Sequence, residues 1–567
     1  MNKVLATSLK AVLLIFVFLF IGLSINPFDG KYFIYHDQTQ PARVLEFFLN
    51  LKQLNIPPRL SANMYFNLGY PVFNYYSPSA YLFTSAFMLA GLNSPQAIEL
   101  SFIVFMLIGF AGMFLLLKQY FSFLPSFLGA TAYITTPYLA VEIFVRGNLA
   151  ELCFWAFLPL TLYLLKTNQL FKASLSTSVL LTAHNVLSLT AVPLLISWVL
   201  TNRSKKNLLA LVFGFLLSAY FLLPALLEQH LVWAKTIAER TNYQQHFLCL
   251  KQLWSNNGWL YGGSIAGCND SMSFKLGKIQ ILLLAVGLSY FSYKLIKLKK
   301  ITAYKDQLAV LFWGVLFTLA TLEYSKPVWD QLSTAVAVFQ FPWRFLIYSV
   351  FALSFFIPYA VHLLKSAKLT FKLTSILLIV LLLIINKKYF KPEKYFNYTD
   401  FYNRYLSAEY IKYAVANSIP EYLSKQTKYE KVLLELNKAY KDFLNNKDLI
   451  KYNKDPQSTV NVKVINFSNN LFNKNLKVLA VTTTEYQLPI HFINNWKIKV
   501  NNKLTSPKKF DDYARPIITL DSGENLIEMQ YSQSIIEKTG NIISIISFIM
   551  LTLISYKISK NAKQTRS

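Results

Sequence analysis

The sequence predicts a mostly α-helical, polytopic membrane bundle of about twelve spans, with a small β-sandwich domain placed before the last span. Three observations carry that reading. Of 567 residues 54% are hydrophobic and 15% charged, where soluble globular chains carry about 25% charged residues. Long apolar runs recur from residue 8 to 386 and return near residue 541. Between them, residues 387–540 are polar, rich in Lys, Asn and Tyr, and alternate in the two-residue period of strands.

A hydrocarbon core of about 30 Å takes roughly 20 apolar helical residues to cross. Stretches near 8–25, 97–117, 124–140, 149–165, 171–183, 185–200, 208–226, 276–293, 307–323, 345–364, 370–386 and 541–556 meet or approach that length. The first has a basic start and no small-residue cleavage site before Asn26, as in a retained signal anchor. The segment 79–92 is also apolar, and counting it as a span would invert everything after it. Basic residues settle the parity, because they concentrate on the cytoplasmic side. With both termini cytoplasmic and 79–92 dipping into the outer leaflet, Lys118, Lys166, Lys172, Arg203 to Lys206, Lys294 to Lys305, Lys365 to Lys372 and the tail from Lys557 all fall inside. The segment 171–200 reads as two spans or as two half-helices meeting at His184-Asn185.

This division gives a transmembrane unit over 1–386 with outer loops 26–96, 141–148, 227–275 and 324–344. It is followed by an extracytoplasmic α+β unit over 387–540 and a last helix with a basic tail over 541–567. Within the outer unit a helix is expected around 428–446, and a sandwich over about 455–533 built from STVNVKVINF, NLKVLAVTTT, QLPIHFI, NWKIKVN, PIITL and NLIEMQY. Cys249 and Cys268 allow at most one disulfide. The formal charge of +28 would suggest a polyanion in a soluble chain, but here it follows the membrane sides and no nucleic-acid partner is expected.

Candidate chemistry gathers in the outer loops. Directly after the first span lies His36-Asp37-Gln38-Thr39-Gln40-Pro41-Ala42-Arg43. Asp37 there can accept a proton from a hydroxyl or bind a metal ion. Asp37 and Gln40 also have the spacing of a capping box opening an amphipathic interfacial helix with Val44, Leu45, Phe47, Phe48, Leu51 and Leu54 on its apolar face. The run from Gly69 to Pro78, with Tyr70 and Tyr75, could line a groove for a lipid or sugar or belong to the interfacial aromatic belt. Glu142 and Arg146 are spaced to pair on one helical turn, and Asn148 and Glu151 open the next span, where an apolar neighbourhood makes a carboxylate costly. Glu228 and His230 end the seventh span. Gln340, Trp343 and Arg344 open the tenth, where the arginine is suited to bidentate phosphate binding or to snorkelling. The chain has no phosphate-binding G-x-x-x-x-G-K-[ST] loop and no H-E-x-x-H, and its six histidines are scattered.

Taken in order, HDxxQPxR, GYPxFNYYxP, RGNxAE, the AHN around His184 and Asn185, LEQH, WLYGGS with CNDSMSFKLG, and FQFPWR resemble the bacterial membrane proteins labelled 6-pyruvoyl-tetrahydropterin-synthase-related. They are also similar to the wider GT-C class of integral membrane glycosyltransferases, YfhO-type proteins included. The resemblance covers about residues 1–425. The pterin label implies no activity here, since a soluble pterin synthase uses a three-histidine zinc site. The GT-C resemblance implies a GT-C-like bundle in the bacterial cytoplasmic membrane. It also implies a polyprenyl-phosphate sugar donor in the outer leaflet, an envelope glycan, lipid or protein as acceptor, Asp37 as first-loop acid and the Glu142 to Glu151 cluster as second. That class often has Asp in the second loop where this chain has Glu and Arg. No cofactor is specified, and a divalent cation stays open. Asp37, Glu151 and Glu228 are therefore the catalytic candidates. His36, Gln40, Arg43, Tyr70, Tyr75, Glu142, Arg146, Asn148, His184, Asn185, His230, Gln340, Trp343 and Arg344 are the binding candidates. Two rivals remain: a non-enzymatic glycolipid transporter, and a scaffold whose outer sandwich binds glycan, with Trp496 as stacking platform or as core residue.

Overall fold

The computed structural model describes residues 3–564 except 235, 237–240, 256–258, 270, 299–300 and 418–419. Asn256 to Gly258 and Asp270 of the expected outer loop, and the end of the basic tail with Arg566, lie outside the described residues. All twelve apolar segments are helical. Among the described residues eight helices are long and apolar enough to cross a membrane, and the bent pair Lys205–Leu217 and Ala219–Leu227, broken by 61°, makes a ninth if it is one span. The twelve expected spans are thus not of one kind. Thr7–Gly22, the 12-residue Leu170–Leu181 and the 17-residue Lys305–Thr321 are shorter. Leu170–Leu181 stops where Thr182 meets the start of the helix Ser79–Leu89: its carbonyl accepts from the Ser79 amide at 3.1 Å, and the two hydroxyls bond at 2.6 Å. The 11-residue Ser79–Leu89 helix, too short to span, is packed in above that break.

Burial sorts the helices into a centre and a rim. Phe123–Arg146 is buried throughout, and Leu149–Lys166 and Pro342–His362 nearly so, whereas Lys278–Lys297, Lys368–Lys387 and Ile535–Ile558 expose most of their length. The rim helices turn Leu282, Leu369, Leu373, Leu377, Ile545 and Leu553 outward, as lipid-facing helices must. Away from the candidate loops, Lys166 Nζ meets Asp306 at 2.5 Å and Asn202 at 3.0 Å, and the Tyr120 hydroxyl reaches the same carboxylate at 2.8 Å, tying four helix ends together.

The first loop forms the expected helix, but a polar stripe of it faces inward. Gln40–Lys52 buries Gln40, Arg43, Glu46 and Asn50, one stripe at helical spacing, along with Val44 and Phe47, while Leu54 beyond its end is exposed. The polar stripe has partners inside: Glu46 accepts from Ser61 Oγ at 3.0 Å and Asn63 Nδ2 at 2.7 Å, and burial still holds its carboxyl above the ordinary range. The expected capping box is also not formed. The helix starts at Gln40 with Thr39 as its cap, and Gln40 Nε2 reaches Asp37 Oδ2 only at 3.5 Å.

The outer unit contains the helix Tyr429–Leu444 and two antiparallel sheets packed on one core. One sheet orders Val462–Asn470, Asn473–Ala480, Gly523–Tyr531, Trp496–Val500 and Lys503–Thr505; the other orders Thr484–Gln487, Pro516–Leu520 and Lys509–Phe510. Most of QLPIHFI is not a strand. Only Gln487 belongs to one, because Pro489 cannot donate to a ladder and the His491 amide bonds instead to the Leu68 carbonyl of the first loop at 2.8 Å. Trp496 is 5% exposed inside this core, edge-on to Tyr531, and so offers no stacking platform. The strand Lys31–Phe33 pairs with Tyr395–Asn397, so the first loop and the segment after Lys368–Lys387 are joined by backbone. Cys249 and Cys268 form a disulfide.

Candidate active site

The centre of the bundle carries its charges where three buried helices meet. Phe123–Thr135 breaks at Thr136-Pro137, continues through Pro137–Ala140 and ends in a π-helical turn, Val141–Arg146. Such turns re-aim side chains that a regular helix would spread around its axis. Glu142 and Arg146 pair across it, Arg146 Nη1 lying 2.6 Å from Glu142 Oε2. Gly147 follows at φ 63° and ψ 31°, and a Cβ there would overlap the Tyr35 ring, so position 147 needs glycine for both conformation and space. Asn148 caps the next helix, accepting from the Glu151 amide at 3.0 Å.

Glu151 is the hub. Its Oε1 accepts from Arg146 Nη2, Arg344 Nε and Asn148 Nδ2, each at 2.8 Å, and His184 Nε2 stands 3.7 Å away. The Leu187 amide donates to His184 Nδ1 at 3.2 Å, so a neutral ring carries its proton on the nitrogen facing Glu151. Arg344 also donates to the Phe339 carbonyl and to Gln340 Oε1, both at 3.3 Å, from a turn in which Gln340 holds φ 62°. Arg146 lies over the Trp343 ring at 4.5 Å. RGNxAE and FQFPWR, nearly 200 residues apart, therefore form one buried network with two carboxylates and two guanidiniums. In this state neither arginine is an open phosphate receptor: Glu142 and Glu151 hold both guanidiniums.

Asp37 is laid directly onto this network. The His36 amide donates to Val145 O at 2.9 Å and the Asp37 amide to Arg146 O at 3.0 Å, so the first-loop motif follows the π turn as a short strip of backbone pairing. Asp37 itself is part exposed, while Glu142 and Glu151 are fully buried. Beside it, Arg43 lies over Tyr76 at 5.1 Å and reaches the Tyr81 hydroxyl at 3.4 Å; that hydroxyl donates to Gln40 at 2.8 Å. His36 Nε2 meets the Tyr261 carbonyl at 2.8 Å, which brings WLYGGS to the same place.

Other candidates are placed differently. Tyr70, Asn74 and Tyr75 are buried, so this run lines no open groove. It is packed instead against Asn185, whose amide donates to Tyr75 O at 2.7 Å and whose Oδ1 accepts from the Ser77 amide at 3.0 Å. Glu228 belongs to a separate cluster. The Tyr75 hydroxyl bonds to the Glu228 carbonyl at 3.2 Å, and burial, aided by the nearby Glu537 carboxylate and opposed by a hydrogen bond from Ser534, raises its carboxyl. His230 is exposed and bonds back to the Leu227 carbonyl of its own helix end at 2.8 Å, apart from Asp37 and Glu151. Among the described residues one group has three metal-ligand side chains within reach of one another, Cys249, Cys268 and Glu323, and its two sulfurs are joined to each other.

Sequence reasoning missed two contributors. Tyr35 packs under Gly147, a pairing signalled only by its place beside His36-Asp37. An open cavity of about 490 Å³ also stands behind Tyr261, lined by Trp259, Tyr389, Lys275, Lys388 and Lys391.

No family model and no curated protein matches the chain, so the pterin-synthase-related resemblance rests on its motifs alone. Among solved structures it is similar to ArnT from Cupriavidus metallidurans bound to undecaprenyl phosphate, at 13% identity and TM-score 0.38 over 76% of each chain. It is also similar to the apo oligosaccharyltransferase from Archaeoglobus fulgidus, at 12% identity and TM-score 0.34 over 80% of this chain and 61% of that one.

Proposed function

We propose that this chain is an integral membrane glycosyltransferase that moves a sugar from a polyprenyl-phosphate donor to an envelope acceptor on the extracytoplasmic face. The observation that supports it best is the docking of the Asp37 backbone amide on the Arg146 carbonyl, which sets a part-exposed carboxylate beside a buried Glu–Arg network where the loops converge. A base fixed by packing and backbone bonds needs little reorganisation at the moment of reaction. In the reaction Asp37 takes the proton of the acceptor hydroxyl and the acceptor oxygen forms a bond to the anomeric carbon in line. The bond from that carbon to the phosphate oxygen breaks, and its electron pair leaves with the polyprenyl phosphate. Glu151 contacts no reacting atom in this scheme; it positions Arg146 and Arg344.

The test is transfer of radiolabelled sugar from a panel of polyprenyl-phosphate sugars to envelope acceptors by purified protein in nanodiscs. Transfer by the wild type and its loss in Asp37→Asn supports the reading. Equal transfer by both removes Asp37 as base, and no transfer from any donor turns the reading toward glycolipid transport.

A further inference from the structure

The cavity of about 490 Å³ between the Trp259–Tyr261 loop and the segment after Lys368–Lys387 has a distinctive lining. Two aromatic rings, Trp259 and Tyr389, meet at 5.0 Å, and Tyr261 closes the side toward the candidate active site. Its described lining carries three cations, Lys275, Lys388 and Lys391, and one anion, Glu393. The ammonium groups of Lys388 and Lys275 lie over the Tyr389 ring, at 5.1 and 5.9 Å from its centroid. Lys275 is held below the ordinary lysine range, first by burial and then by Lys388 and Lys278.

Tyr261 connects this cavity to the candidate base. Its carbonyl meets His36 Nε2 at 2.8 Å, and its hydroxyl donates to the Lys391 carbonyl at 2.9 Å. The cavity wall and Asp37 are therefore separated by one residue on each side of a hydrogen bond. The arginines that sequence alone suggests for phosphate are held by Glu142 and Glu151, whereas Lys388 and Lys391 are exposed at the cavity rim.

We propose that this cavity is a binding site for a phosphate group, held by Lys388 and Lys391 against the Trp259 and Tyr389 rings. The phosphate could be a lipid headgroup or a free aqueous ion, since both present the same oxygens to ammonium donors. The site stands on its own geometry, and it rests on the glycosyltransferase reading only for the statement that the lipid source is the sugar donor.

The test uses full-length protein in nanodiscs and two radiolabelled probes: inorganic phosphate in solution, and a polyprenyl phosphate within the bilayer. Binding of either probe should weaken by about tenfold or more in Lys388→Ala/Lys391→Ala, where two charge-assisted hydrogen bonds are lost. It should recover in Lys388→Arg/Lys391→Arg and fall with added salt. Lysine-dependent binding of inorganic phosphate assigns a free ion, and of the polyprenyl phosphate alone a lipid headgroup; both support the site. Failure of both probes to bind wild type, or equal binding by wild type and the alanine variant, overturns it. Binding should be unchanged in Asp37→Asn. If the wild type transfers no sugar yet shows lysine-dependent binding, the glycosyltransferase reading fails and the phosphate site stands.

Discussion

Arg146 and Arg344 are each less than a tenth exposed and bound to Glu151, while Lys388 and Lys391 stand at the rim of an open cavity whose described lining holds one carboxylate, Glu393. Both sets of cations lie near the His36-Asp37 strip, yet they are built for different work. A buried guanidinium between carboxylates fixes distances between helices and cannot exchange partners without leaving a charge uncompensated. An exposed ammonium beside aromatic rings gives up little to meet a ligand. The contrast teaches that a cation's partners, more than its residue type or its place in a motif, decide whether it is available to substrate.

The sharpest way to break this comparison is Glu151→Gln. It leaves two buried guanidiniums with only Glu142, and disruption of a buried ion pair costs about 3–5 kcal/mol. The thermal midpoint of the purified protein in detergent should fall sharply, and an unchanged midpoint would show that the network is not structural. Next in size is Gly147→Ala, with about 1–2 kcal/mol from the left-handed backbone and more from overlap with Tyr35. Because Tyr35 adjoins His36-Asp37, its stability loss should come with a loss of transfer; transfer at the wild-type rate would separate the π turn from the base.

Lys474 sharpens the comparison as a buried cation with backbone partners. Its Nζ donates to the carbonyls of Asn67 at 2.6 Å and Pro489 at 3.0 Å, at the contact between the outer unit and the first loop. Burial lowers it to about 7. The folded-state value lies below the ordinary lysine value of 10.5, so above about pH 7 the unfolded chain binds more protons and stability rises with pH up to about 10.5. The rise is at most about 1.4 kcal/mol per pH unit. Thermal midpoints recorded from pH 6.5 to 9 should climb more steeply in wild type than in Lys474→Met, and parallel curves would mean that Lys474 does not titrate there. The smallest effect is on the exposed set: Lys388→Ala/Lys391→Ala should shift stability by no more than about 0.5 kcal/mol, as surface changes do, while the proposed phosphate binding weakens. A large loss of stability would place these lysines with the structural cations instead.

Much of this was legible in the sequence. The apolar segments and alternating strands have local causes, so all twelve helices and most strands lie where period and length put them. The Glu142–Arg146 pair was legible from its four-residue spacing, and Glu151 stood out as a carboxylate at the start of an apolar span, although its local partners Arg146 and Asn148 were not read from the sequence. Features that depend on distant contacts were not legible. Gln40–Lys52 reads as an interfacial helix by pattern, but it turns Gln40, Arg43, Glu46 and Asn50 inward because Tyr81, Ser61 and Asn63 meet them there. Arg344 reads as a phosphate anchor until Glu151, 193 residues earlier in the chain, occupies it. The Trp259–Tyr389 cavity joins the WLYGGS and CNDSMSFKLG motifs to Lys388, Tyr389 and Lys391, more than 100 positions later, and no sequence pattern marks that pairing.

In the proposed reaction Asp37 is the base, and its backbone amide is held on the Arg146 carbonyl. The most direct measurement is the single-turnover rate of sugar transfer in nanodiscs by wild type and Asp37→Asn, with donor binding measured alongside. If Asp37 is the base, the rate is about 10²–10⁴-fold slower in Asp37→Asn, as for loss of a general base, with unchanged donor affinity and thermal midpoint. A variant that transfers sugar within threefold of the wild-type rate would contradict it.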